Sequence, residues 1–133
     1  MIILIVEDEE LLAELLHDEL SEAGYRIVGP AATAAEALRL ADVTTPELAL
    51  VDVNLRDGSK GTVVVQRLYE SRKVCSLYMT SVPAEARANP RGALGVVTKP
   101  YILPTVMASI AVAQAIMRGE RPASIPDGLE LFR

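Results

Sequence analysis

The stretch Ile2-Ile3-Leu4-Ile5-Val6-Glu7-Asp8-Glu9-Glu10 is the most informative in this chain. An unbroken apolar run that ends abruptly in carboxylates reads as a strand covered on both faces, with its carboxyl end opening onto something acidic. The pattern recurs. Leu48–Val51 runs into Asp52, Ser76–Met79 into Thr80-Ser81, and Gly95–Val97 into Thr98-Lys99-Pro100. Arg26–Ala31 completes a set of five candidate strands.

Between these strands lie four helical stretches, and a fifth follows the last. The first carries Leu12, Leu15, Leu16 and Leu20 on one stripe and stops at Gly24. The second opens on Thr33-Ala-Ala-Glu36, a capping box in which hydroxyl and carboxylate satisfy each other's free backbone N–H groups. Pro46 closes the connection after it. The third spans Lys60 to Arg72, with Val64, Val65, Leu68 and Tyr69 as buried candidates. The fourth, Pro83 to Arg91, is short, poorly apolar and bounded by prolines. The fifth, Pro104 to Arg118, presents Val106, Met107, Ile110, Ala111, Ala113, Ile116 and Met117. Strict alternation of strand and helix predicts an open, doubly wound α/β sheet with helices on both faces.

The chain has 133 residues, enough for one core but not two. Half of it is apolar, 4% is aromatic and Trp is absent, so the core is aliphatic. A net charge of −5 with no Lys/Arg cluster argues against direct nucleic-acid binding. The opening apolar run is too short for a membrane span and lacks the basic start of a secretory leader. Cys75 is the single cysteine, so no internal disulfide can form and the thiol reads as structural. The cytoplasm is the expected compartment. His17 stands among polar residues with no Cys or His near it in the sequence, and reads as solvent-facing. Residues 120–133 read as a loop followed by Leu129–Phe132, a tail too short to be an output domain.

In an open α/β sheet the ligand crevice lies beyond the carboxyl ends of the strands. Glu7, Asp8 and Asp52, with the Thr80 hydroxyl and the Lys99 amine, therefore converge on one rim. Hard oxygen ligands in an acidic cluster suit Mg²⁺, which relieves the repulsion between the carboxylates. Asp52 can then attack phosphorus as a carboxylate nucleophile and form an acyl phosphate. Lys99 and the metal would offset charge on the equatorial oxygens, and Thr80 would hydrogen-bond one of them.

This set, in this order, resembles the receiver domain of two-component response regulators. The resemblance covers roughly residues 1–118 and implies a flavodoxin-like five-stranded parallel sheet of order 2-1-3-4-5 with five helices, the domain filling residues 1–119. It implies Asp52 as phospho-acceptor, and a Mg²⁺ site made by Glu7, Asp8, Asp52 and the backbone carbonyl of Asn54. The peptide before Pro100 is often cis in that family. Three departures stand out. Val96 occupies the position, three residues before the lysine, where the family usually has Tyr or Phe as a switch coupled to the threonine. The Thr80–Lys99 interval is shortened, with its helix broken by Pro90. Arg56-Asp57-Gly58 replaces a Pro-Gly-type turn, with Gly58 and Gly61 keeping that loop flexible.

The resemblance also implies a stand-alone signalling module that takes its phosphoryl group from a sensor histidine kinase or a histidine phosphotransfer protein. It would catalyse only its own phosphorylation and dephosphorylation, and act through a downstream protein partner. The fifth-helix face is the expected partner or homodimer surface. Three alternatives stay open: a pseudo-receiver that binds partners without phosphorylation, a phosphorelay intermediate, and a Mg²⁺-dependent aspartyl phosphatase. The last is disfavoured because Asp52-Val53-Asn54 carries an amide where such enzymes carry a second acid.

Overall fold

The computed structural model describes residues 1–132. Its elements follow the expected alternation: β1 (Ile2–Val6), α1 (Glu10–Glu22), β2 (Arg26–Ala31), α2 (Ala34–Thr44), β3 (Leu48–Val51), α3 (Gly61–Arg72), β4 (Cys75–Thr80), α4 (Pro83–Arg87), β5 (Ala93–Thr98) and α5 (Leu103–Met117). A 3₁₀ turn, Arg56–Gly58, separates β3 from α3. The first five strands are parallel and lie in the order β2-β1-β3-β4-β5.

Period-two alternation divides each central strand between two cores. Leu4, Val6, Ala49 and Val51 join Val64, Val65 and Leu68 of α3 on one face. Ile3, Ile5, Leu48 and Leu50 join Leu16 and Leu20 of α1, and Val106 and Ile110 of α5, on the other. Both faces are covered, which is why β1 and β3 carry no polar residue and the two polar residues of β4, Ser76 and Thr80, are fully buried.

Several expectations need correction. The sheet has six strands rather than five. β6 (Leu129–Leu131) lies in the tail and pairs antiparallel with β5, setting Glu130 opposite Val96. α4 ends at Arg87, not Arg91, because Pro90 lacks an N–H and cannot continue the helix. In the capping box Thr33 Oγ1 accepts from the Glu36 N–H at 3.2 Å, as expected. The Glu36 carboxylate, however, accepts from Ala32 N at 2.7 Å, one residue before the cap. Leu15 is 45% exposed, so the buried face of α1 is built on Ala13, Leu16 and Leu20. Tyr69 is only partly buried, and the Lys73 ammonium lies 4.9 Å from its ring centroid.

β2 forms the other margin of the sheet. Its register against β1 shifts between Leu4 and Val6, where Gly29 and Pro30 sit, and the Gly29–Pro30 peptide is cis. Among the described residues no helix is long and apolar enough to cross a membrane.

Candidate functional site

β1 and β3 place Glu7 and Asp52 side by side: Val6 pairs with Val51, so the next residue of each strand reaches the same rim. Asp52 N donates to Val6 O at 3.0 Å, which continues the ladder one step past β3. β4 and β5 end in register as well, Thr80 opposite Thr98, and Lys99 N donates to Thr80 O at 2.9 Å. The Lys99–Pro100 peptide is cis, as the family resemblance implied.

The Lys99 ammonium is the centre of the rim. Its Nζ lies 2.7 Å from Glu7 Oε1, 2.7 Å from Glu9 Oε2 and 2.8 Å from Asp52 Oδ2, with only 12% of the side chain exposed. Burial alone would lower the Lys99 pKa. Hydrogen bonds to Asp52, Glu7 and Glu9 outweigh that and hold it above its ordinary value. Burial pushes the Glu7 carboxyl up, against the pull of Lys99. The remaining oxygens are also fixed: Glu7 Oε2 accepts from Glu9 N at 3.1 Å, and Asp52 Oδ1 from Val53 N at 2.7 Å.

The donor set fits a hard divalent cation. Glu7, Asp8 and Asp52 each offer a carboxylate oxygen within 4.8 Å of the others. The Asn54 carbonyl lies beside them in chain order, in a narrow antiparallel bridge to Lys60, and accepts no hydrogen bond among the described residues. Oxygen-only ligands of this kind are what Mg²⁺ selects.

All the site residues singled out from the sequence lie at this end of the sheet, but Thr80 stands apart from the ionic cluster. It is fully buried, and its Oγ1 accepts from Val82 N at 3.1 Å, tying the end of β4 to the start of α4. Val96 is fully buried among the α3-side core, in register with Tyr78. Aromatic volume on that face comes from Tyr78 and Phe132, whose ring centroids are 6.4 Å apart.

Five residues have places at this site that the sequence did not assign to them. Glu9 holds Lys99 from the N-cap position of α1, where its carboxylate makes no cap to the helix. Arg56 donates to the Asp8 carbonyl at 3.1 Å and pairs with Glu10 at 3.7 Å. Lys60 donates to Asn54 Oδ1 at 2.6 Å and pairs with Glu85 at 3.5 Å. Gly61 is needed for a close approach rather than for flexibility: a Cβ there would lie 1.8 Å from Asp52 O. Tyr101 borders an open cleft of ≈ 410 Å³ together with Glu9, Leu12, Ser81, Lys99 and Pro100. Its buried hydroxyl has no partner among the described residues, and burial, reinforced by the negative charge of Glu7, raises its pKa.

The sequence model of the response regulator receiver domain matches residues 3–111. The chain belongs to the response regulator receiver family. This receiver is 30% identical over 122 residues to the transcriptional regulatory protein PdtaR of Mycobacterium tuberculosis, a match covering 87% of the receiver and 58% of PdtaR. The receiver therefore spans little more than half the length of that relative. The REC domain of the response regulator PhyR from Erythrobacter litoralis superposes with a TM-score of 0.77 at 31% identity, over 92% of the receiver and 95% of that domain. The response regulator TrrA from Thermotoga maritima, solved in complex with Mg²⁺–BeF, superposes with a TM-score of 0.72 at 26% identity, over 82% and 95%. Receivers belong to two-component signalling and generally bind Mg²⁺ in an acidic pocket, and Glu7, Asp8 and Asp52 form an acidic cluster here.

Proposed function

We propose that this receiver accepts a phosphoryl group on Asp52 from a phosphohistidine of a sensor kinase or histidine phosphotransfer protein. The observation that carries this reading is the Lys99 ammonium held within 2.8 Å of Asp52 and 2.7 Å of Glu7 at the carboxyl ends of the strands. That placement sets a fixed positive charge against the nucleophile and at the point where phosphoryl oxygens would gather.

In the transfer, an Asp52 carboxylate oxygen forms the new O–P bond as the N–P bond of the donor breaks, and the imidazole leaves with its electron pair and takes up a proton. Asp52 Oδ1 is held by Val53 N, which leaves Oδ2, the oxygen on Lys99, as the attacking atom. Lys99 moves with the charge from the carboxylate to the transferred group, and Thr80 exchanges its bond to Val82 N for a phosphoryl oxygen. Glu7, Asp8, Asp52 and the Asn54 carbonyl would hold Mg²⁺, which when bound supplies further positive charge to those oxygens. The chain turns over only its own phosphorylation state, and its output is protein contact in the cytoplasm.

Incubation with Mg²⁺ and acetyl phosphate, followed by intact-mass measurement, tests this. The wild type should gain one phosphoryl group and Asp52→Asn none. An equal adduct on both proteins would move the acceptor elsewhere. No adduct on either, with no beryllofluoride binding, would favour a partner-binding module that works without phosphorylation.

A further inference from the structure

The β6 strand is not part of the parallel α/β repeat, yet the chain is shaped to receive it. Gly95 of β5 has no room for a side chain: a Cβ there would lie 2.3 Å from Glu130 O and 3.1 Å from Leu131 Cα. Leu129 is 8% exposed and joins the α1/α5-side core, while Phe132 packs against the opposite core beside Tyr78. The strand is short, and two attachments fix it from different elements. Thr98 N donates to Gly128 O at 3.2 Å, so the last residue of β5 holds the start of the strap. Arg87 of α4 grips Glu130, Nε lying 2.8 Å and 3.0 Å from the two carboxylate oxygens.

Both attachments lead straight back to the site. Thr98 precedes Lys99, whose ammonium is shared by Asp52, Glu7 and Glu9 and whose N–H is bonded to Thr80 O. Arg87 ends a five-residue helix whose approach is tied by the Thr80 hydroxyl to Val82 N. A phosphoryl group on Asp52 competes for the same two residues: its negative oxygens draw the ammonium off Glu7 and Glu9, and a hydroxyl turned toward them leaves Val82 N without its acceptor. A five-residue helix has little stability of its own to resist the shift.

We propose that β6 is the output element of this receiver, a strap whose hold on β5 is loosened when Asp52 is phosphorylated, through Lys99–Thr98–Gly128 on one side and Thr80–α4–Arg87–Glu130 on the other. The inference rests on Asp52 being the acceptor. The strap also assigns a role to Val96: with no ring in β5 to reorient, the movable aromatic on that face is Phe132, carried by the strap itself.

Amide hydrogen exchange of the full chain, with and without Mg²⁺ and beryllofluoride, tests the coupling. Loading should speed exchange at the Thr98 and Phe132 amides, the ones donating to Gly128 O and Leu94 O, by about tenfold. Core amides of β1 and β3 should stay unchanged, and Asp52→Asn should show no response. Arg87→Ala should raise resting exchange at Phe132 and shrink the response, with acyl-phosphate formation as fast as in the wild type. Unchanged Thr98 and Phe132 exchange in a sample whose loading is verified by mass or fluorine NMR overturns the strap and leaves the acceptor reading intact. Absence of loading removes the acceptor reading, and the strap proposal with it.

Discussion

Gly61 stands where the first turn of α3 passes over the Asp52 peptide, and the geometry leaves no room for a methyl group. A Cβ there would meet Asp52 O at 1.8 Å and Val51 Cγ1 at 2.8 Å, backbone and packed core rather than a flexible tip. Gly61→Ala should therefore lower unfolding free energy by about 3 kcal/mol in urea titration, since α3 must shift bodily. Gly58→Ala is the control. Its φ is +77° with nothing within 4 Å, so only left-handed strain applies, about 1 kcal/mol. Equal losses from the two would contradict the close approach. In the sequence both glycines read alike, because a loop glycine does not announce which atom faces it. Glu7, Asp8, Asp52 and Lys99 were legible for the opposite reason: each follows an apolar run, and the end of a buried strand fixes where the next side chain emerges. Glu9 was not, because its partner Lys99 lies 90 positions away and only the folded sheet brings them together.

At the level of elements, the Tyr78 side chain ties β4 to the segment after α4. Tyr78 OH donates to Asn89 O at 2.8 Å, and Tyr78 is fully buried. Burial, with a smaller contribution from Glu85, pushes the Tyr78 pKa up to about 12 from an ordinary value of 10.0. The native state therefore keeps this proton longer than the unfolded chain does. Stability is fully present below pH 10 and is lost as pH rises through about 12. Chemical-denaturation midpoints measured across that range should fall less steeply for Tyr78→Phe than for the wild type, and parallel curves would show that the bond does not stabilise the fold. α1, α2, α3 and α5 could be read because each buries a stripe, and β1, β3 and β4 because they bury both faces. The start of α4 at Pro83 was legible but its end was not, and β6 was not legible as a strand of the sheet. Five and three residues are too few to display a period, and β6 sits among Pro122, Pro126 and Gly128, where turn chemistry dominates the local signal.

Across the whole molecule the charge distribution is uneven. Glu7, Asp8, Glu9 and Asp52 crowd one end of the sheet, and the Lys99 ammonium is bonded directly to three of them. A fold that concentrates like charge in this way is stabilised by any cation binding there and not to the unfolded chain. Mg²⁺ should therefore raise the melting temperature relative to EDTA, with about 2.7 kcal/mol gained at a hundredfold excess over Kd, and Asp52→Asn should lose most of that gain. Identical melting with Mg²⁺ and EDTA would count against the metal site. The position of the crevice was available from the alternation of strand and helix, and the order of the parallel strands from the family resemblance. How the sheet ends was not.

That ending bears on how copies of the protein behave at high concentration. A parallel sheet with bare margins is a template on which identical chains can stack into fibres. Here neither margin offers one. β2 carries Pro30, which has no N–H to donate, beside a break in register, and β6 presents only three residues before the sheet stops. The strap that closes β5 thus also guards against fibrous self-assembly, and a receiver that loosens it to signal briefly gives up that colloidal protection.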